Sequence, residues 1–317
     1  MMQFLRLVKN ENMKLYKRKL LWVMVLILAA SITLSLVITL KTADKHPKDW
    51  KHHLKTEIAS KEAELADKKT PEDFKPEIKK EIKFDQYRIN HNIPPMYSDT
   101  AVGFVNETLG YSGLITLFII IIASSIVSQE YSWGTIKLVL MRPLKRWKVL
   151  LAKYVSVIFN ALILFLLLMI VSFTVGMIVF GIDDMSSRFV FEEQDKLKDV
   201  SVFTHFLQYF GSKFVGLIMI AAFAFMLSTI FKNNALAIAL SIIIQFAGSI
   251  ISSLLSAFDK GFVKYIFFTN TDLYKYVEGS PPAKGMSLEF SIIVLIIYFV
   301  IFMGIAIVIF EKRDVTS

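Results

Sequence analysis

The sequence predicts an all-helical integral membrane protein with six spans, and three observations carry that prediction. Of the 317 residues, 55% are hydrophobic and 27 are Phe, with a mean hydropathy of +0.54; a soluble domain keeps more polar surface over its core. Six apolar runs are each long enough to cross a hydrocarbon layer of about 30 Å, which takes ~20 helical residues. The runs are continuous rather than alternating, and bilayer interiors satisfy backbone groups only in helices or closed barrels.

Residues 1–19, MMQFLRLVKNENMKLYKRK, space Phe4, Leu7, Val8 and Leu15 at near-helical intervals among basic residues. This predicts an interfacial helix on the cytoplasmic face. The first span, 20–40, is longer than a signal-peptide core and has no small-x-small cleavage pattern before Lys41, so it is expected to persist as an anchor. A polar insert, 41–111, follows. Trp50, Leu54, Ile58 and Leu65 fit one helical face; after Pro71, Phe74, Ile78, Ile82 and Ile89 fit another, ended by Asn-Ile-Pro-Pro at 92–95. The expectation is an extracellular helical hairpin, either a solvated cap or a binding domain.

The second span is placed at 112–128, the third at 155–181, the fourth at 214–231, the fifth at 235–257 and the sixth at 290–310. Between them lie a cytoplasmic segment, 129–154, an acidic outer loop, 182–213, a cytoplasmic turn, 232–234, and an outer loop, 258–289. The last contains apolar residues expected to dip back into the membrane as short helices. A tail, 311–317, ends the chain.

Charge sets the orientation. Arg6, Lys9, Lys14, Lys17, Arg18 and Lys19, then Lys137, Arg142, Lys145, Arg146, Lys148 and Lys153, then Lys232, Lys312 and Arg313, fall on the side of the termini. Only Glu11, Glu130, Glu311 and Asp314 oppose them there. The positive-inside rule puts that side in the cytoplasm, with the chain in the cell membrane. The net charge of +9 thus reflects topology and contact with anionic lipids, and no aromatic-basic module points to nucleic acid. With no cysteine, disulfides, thiolate metal sites and thiol catalysis are excluded.

Motifs of catalysis are missing. His46, His52, His53, His91 and His205 all fall in outer segments without ligand spacing, which reads as surface histidines rather than a metal site. There is no G-x-S-x-G, no G-x-G-x-x-G and no G-x-x-x-x-G-K-[ST], so no enzymatic activity and no bound cofactor are expected of this chain. Ionisable residues are nearly absent from the spans, with Lys213 at a boundary, which argues against coupling to a proton gradient.

One polar pattern stands out. Ser241, Gln245, Ser249, Ser252 and Ser256 share one face of the fifth span, and Ser112, Thr116 and Ser124 make a thinner stripe in the second. Such residues serve close helix packing or line a translocation path, and both hold if the path runs along a subunit interface.

Between the second and third spans runs SQEYSWGTIKLVLMRPLKRWKVLLAKY, Ser128 to Tyr154. Glu130 lies near a helix start, Gly134 and Thr135 turn the chain, residues 136–141 are apolar but too few to cross a membrane, and Pro143 breaks the helix. Lys145, Arg146, Lys148 and Lys153 are expected at the headgroups. The segment reads as a basic loop or as a helix docking into a cytosolic partner.

Those residues resemble the E-x-x-x-G-T-x-x-x-L-x-x-x-P-x-x-R-x-x-x-x-x-x-K pattern of ABC-2-type permeases, the membrane subunits of a class of ATP-binding-cassette exporters. The lead-in NENMKLYKRK, the loop before the last span and the closing Phe310 to Asp314 are similar to the same family; the long hairpin departs from its minimal members. The resemblance implies a six-span half-transporter that pairs with a second, identical or related permease and two copies of a cytosolic ATPase, which would hold ATP and Mg. It implies an ATPase-coupling role for Glu130, Gly134, Thr135, Pro143, Arg146 and Lys153, with Glu130 and Arg146 holding the coupling helix by charge. It places Ser241, Gln245, Ser249, Ser252, Ser256, Thr116 and Ser124 at the translocation path and dimer axis. Two competing readings are a membrane sensor or immunity protein whose hairpin binds a peptide antibiotic or lipid-linked ligand, and a membrane-embedded enzyme.

Overall fold

The computed structural model describes residues 2–42, 47, 49–67, 70–72, 74–136, 145–182, 187–193, 196–257 and 261–312. Six helical segments are long and apolar enough to cross a membrane, so the chain is a multi-pass, predominantly helical membrane protein. The expected Pro143 site, like Lys137, Arg142 and the tail from Arg313, lies outside the described residues.

The chain starts with α1 (Met2–Tyr16) and α2 (Lys19–Thr42), the first span. Two polar helices, α3 (Trp50–Ala66) and α4 (Lys75–His91), follow and pack together. Asp49 caps α3 by accepting the His52 N–H at 3.0 Å. Asn92 ends α4 in the left-handed conformation, φ 57°, which suits Asn and turns the chain before Pro94. Lys61 joins the two helices through Asp85 at 2.9 Å and Glu81 at 3.1 Å.

The second span is longer than the sequence suggests. It begins with α5 (Ala101–Thr108), passes through one 3-10 turn and continues as α6 (Ser112–Ser125). Thr100 caps α5, accepting the Gly103 N–H at 3.1 Å, and Ala101 to Val105 are buried. A helix start governed by such a cap lies outside any hydropathy run. Then comes the short α7 (Ser128–Ser132) and, after residues not described, α8 (Arg146–Phe180). At 35 residues, α8 outreaches a 30 Å hydrocarbon layer, and Arg146 to Tyr154 belong to this helix rather than to a connecting segment.

Outside the helices, the described residues include one two-stranded ribbon. Residues Arg188–Glu193 (β1) and Lys196–Ser201 (β2) pair antiparallel, Arg188 opposite Ser201. Arg188 and Asp199 form an ion pair across the ribbon. Lys80 and Lys83 reach Glu192 at 3.4 and 2.9 Å, and Tyr87 donates to Asp199 at 2.8 Å, so one side of α4 is fastened to the ribbon.

Ser201 caps α9 (Val202–Ile230) by accepting the Thr204 N–H at 3.2 Å. Of its apolar window 72% is buried, against 17% for α10 (Asn234–Ala257) and 28% for α13 (Leu288–Lys312); α9 is therefore the bundle's axis, with α6, α10 and α13 around it. Near its start, His205 is fully buried, stacked on Phe189 at 3.6 Å between ring centroids and bonded to Asn106 at 3.2 Å. It is not the surface histidine its loop position suggests.

Between α10 and α13 the chain makes a 3-10 turn and two short helices, α11 (Phe267–Asn270) and α12 (Tyr274–Val277). Phe267 meets Phe302 at 5.1 Å and Phe268 meets Phe223 at 5.8 Å, so this segment folds into the bundle. Two glycines admit it: a Cβ on Gly248 would overlap the Phe268 ring, and one on Gly216 would overlap the Thr271 carbonyl.

Candidate functional site

Two places gather the polar residues singled out above. The first is at the end of the bundle where α8 starts and α13 ends. There α1 lies along α8, its inner face formed by Val8, Glu11, Asn12 and Leu15. Opposite it, Lys153, Ser156 and Asn160 share one side of α8. Asn160 donates to Asn12 at 2.7 Å, and Ser156 to the Val8 carbonyl at 3.3 Å.

Lys153 is the centre of this contact. Its side chain is 0% exposed, and its ammonium donates to Glu11 Oε2 and Glu130 Oε1, both at 2.7 Å. Lys14 bridges the same carboxylates, at 2.6 Å to Glu11 and 3.0 Å to Glu130. Two acids and two bases thus join α1, α7 and α8. Burial pushes the Glu11 carboxyl up, but the ammoniums of Lys153 and Lys14 override it and hold Glu11 below its ordinary value of 4.5. Burial likewise pulls Lys14 down, and Glu130 with Glu11 lifts it above 10.5. Both effects keep the charged forms. The expectation of Lys153 at the headgroups is corrected: no water reaches it. Glu130 is held by lysines from two other helices, while Arg146 donates to the Glu311 carbonyl at 2.9 Å.

Around this network α7 is clamped to the α9–α10 turn. Ser228 Oγ accepts the N–H groups of Val127 and Ser128 at 3.1 and 3.0 Å. Ser132 donates to the Lys232 carbonyl and accepts from Asn234 N–H, both at 3.0 Å. Beyond α7 the chain turns at Gly134, φ +70°, a conformation that costs a Cβ-bearing residue. Thr135 donates to the Glu130 carbonyl at 3.4 Å. Gly134 and Thr135 thus adjoin a set of directional contacts that fix α7 against α9 and α10.

Sequence reasoning missed Glu11 as the partner, because a single acid in a basic leader looks solvated. A signal existed: Lys153, Ser156 and Asn160 are polar at helical spacing inside an apolar run.

The second place is a cleft of about 320 Å³ between α6, α9 and α10, closed above by Thr271 and Asp272. Thr116, Gln245 and Ser249 line it, as does Ser112. Gln245 donates to Ser249 at 3.3 Å; its Oε1 is buried with no hydrogen-bond partner among the described residues. The other stripe residues are not brought there. Ser241 donates to Ala237, Ser256 to Ser252 and Ser124 to Ile120, each to the carbonyl one turn back at 2.6–2.8 Å, while the buried Ser252 hydroxyl has no described partner. Such back-bonding lets a hydroxyl sit among apolar neighbours, as close helix packing requires. At the cleft's upper end Lys213, inside the span-length α9, pairs with Asp272 at 2.7 Å.

Among the described residues no group of three His, Cys, Asp or Glu could hold a metal ion. The model of a family described as "Protein of unknown function (DUF2705)" matches residues 78–316. "Uncharacterized protein YhcI" of Bacillus subtilis (strain 168) is 36% identical over 317 residues, covering 99% of this chain and 100% of the relative. "Uncharacterized membrane protein YdbK" of the same organism is 29% identical over 215 residues, 68% of this chain and 83% of that one.

Proposed function

We propose, from the premise that the chain belongs to the DUF2705 family of proteins of unknown function, that it is the permease subunit of an ATP-binding-cassette exporter in the cell membrane. Both termini face the cytoplasm, α3 and α4 form an extracellular hairpin, a second permease completes the path, and two copies of a cytosolic ATPase hold ATP and Mg. The observation that carries this reading is the buried ion network of Glu11, Lys14, Glu130 and Lys153. Apolar residues of similar volume often stabilise a fold as well as such a cluster does. What the cluster supplies is a rigid, oriented joint between α7, where a cytosolic partner would push, and the long helix α8, which crosses the bundle. ATP hydrolysis in the partner would tilt α7, and the lysines would pass the tilt to α1 and α8.

In the purified complex, Glu130→Gln removes the charge that both Lys153 and Lys14 meet, and it should preserve assembly while lowering ATP-driven export by about an order of magnitude or more. Export left intact by both Pro143→Leu and Glu130→Ala would make the coupling assignment wrong. Failure to find any ATPase with the chain would favour a sensor that reads its ligand through α3 and α4.

A further inference from the structure

The cleft between α6, α9 and α10 has a chemistry that names a ligand class. Along α9, Lys213 lies about 26 Å from Ile230, and along α10, Gln245 lies about 17 Å from Asn234. Both helices meet at the Phe231–Asn233 turn, so the cleft occupies the half of the bundle remote from that turn. Its volume of about 320 Å³ falls at the lower end of small-molecule sites. It is open at the side, where Phe246 is 56% exposed, onto what would be lipid.

Three features constrain an occupant. Lys213 and Asp272 form an ion pair at 2.7 Å, yet their side chains are 26% and 37% exposed, so each keeps a face for another group. Lys213 is held over the Tyr209 and Tyr274 rings, 5.7 Å from each centroid. An anion would meet the Asp272 carboxylate and a cation the Lys213 ammonium. A zwitterion meets both with opposite charge. Below the pair the wall is apolar, with Leu117, Ile120, Leu217 and Ile220. Gln245 stands on that wall, 9% exposed and with Oε1 unpaired, and it asks for one donor.

We propose that the cleft binds a single-chain zwitterionic amphiphile from the outer half of the bilayer. Its phosphate or carboxylate meets Lys213, its ammonium meets Asp272, and a hydroxyl near the head donates to Gln245. The acyl chain leaves beside Phe246 along the exposed side of α10. As the cargo of an exporter this occupant rests on the permease reading; its binding does not.

The cysteine-free chain, carrying bimane on Ile250→Cys and reconstituted without ATPase or ATP, is titrated with chain-brominated lysophosphatidylcholine and, in parallel, with a monoacylglycerol bearing the same chain. Saturable quenching by the zwitterion and only proportional quenching by the neutral lipid are expected. Lys213→Ala with Asp272→Ala should weaken half-saturation about tenfold or more, and Gln245→Leu should weaken it less. The exchanged pair, Lys213→Asp with Asp272→Lys, keeps the structural ion pair and should still bind if it elutes as the parent does. Equal quenching by both lipids, no saturation, or indifference to Gln245→Leu and to the exposed pair's removal overturns the proposal. Any of those results leaves the permease reading standing, whereas binding without ATP-driven export would do the reverse.

Discussion

Lys153 contributes an ammonium where no solvent reaches it, and its two carboxylate partners come from α1 and α7. Removing it strands Glu11 and Glu130, and breaking a buried pair costs about 3–5 kcal/mol. Lys14 is 44% exposed, and such pairs contribute about 0–1 kcal/mol. Lys153→Ala should therefore lower the thermal midpoint of the solubilised chain well below that of Lys14→Ala; equal midpoints would contradict the ordering. The pH dependence has a definite sign. Glu11 is depressed, so its contribution is complete above its ordinary value of 4.5 and is lost as pH falls through the lower folded value. Lys14 is raised, so its contribution is complete below 10.5 and is lost as pH rises through the higher folded value. A spin-label distance between Lys9→Cys and Lys148→Cys should hold steady from about pH 5 to about pH 10 and lengthen in stronger acid. Lengthening near neutrality would show that other groups seat α1.

Helices end where caps and contacts decide, and this is where the sequence is least legible. The apolar runs locate all six spans because hydropathy over a bilayer's length is a strong signal. The helix capped by Thr100 begins eleven residues before the run at 112–128, and Arg146 starts one nine residues before Val155; Asn106 and Glu107 in the first and Lys148 and Lys153 in the second interrupt the apolar pattern without ending the span. The ribbon escaped notice because Arg188, Glu192, Lys196 and Asp199 make a charged stretch whose partner, α4, is distant in sequence. Removing that partner's hold gives a test: Glu192→Ala should raise hydrogen exchange in β1 and β2 while sparing α9, and unchanged exchange would leave the ribbon self-sufficient. The glycines give a sharper one. Gly248→Ala should destabilise by about 1–3 kcal/mol, the usual range for overpacking, and Phe268→Ala should relieve part of that loss in the double variant. Independent, additive effects would mean that α10 and the inserted segment do not compete for the same space.

Over the whole molecule, α1, α7, the α9–α10 turn and the last turn of α13 gather at one end, and α3, α4 and the ribbon at the other. Charge bias was legible in the sequence because it is local to span ends. The stripe of α10 was legible as a face, yet of it only Gln245 and Ser249 line the cleft, while Ser241 and Ser252 are buried outside it. For orientation, an impermeant maleimide applied to intact cells should label Ser60→Cys and spare Lys9→Cys, and the opposite pattern would invert the topology. We propose that the Glu11–Lys153–Glu130 joint transmits the work of an ATPase. The direct measurement is affinity purification of the chain from its native membrane, followed by assay of ATP hydrolysis and export for the parent and for Glu130→Gln. A co-purifying ATPase whose hydrolysis continues while export falls in the variant is the predicted result. A chain that purifies without any ATPase, or export untouched by the substitution, would contradict it.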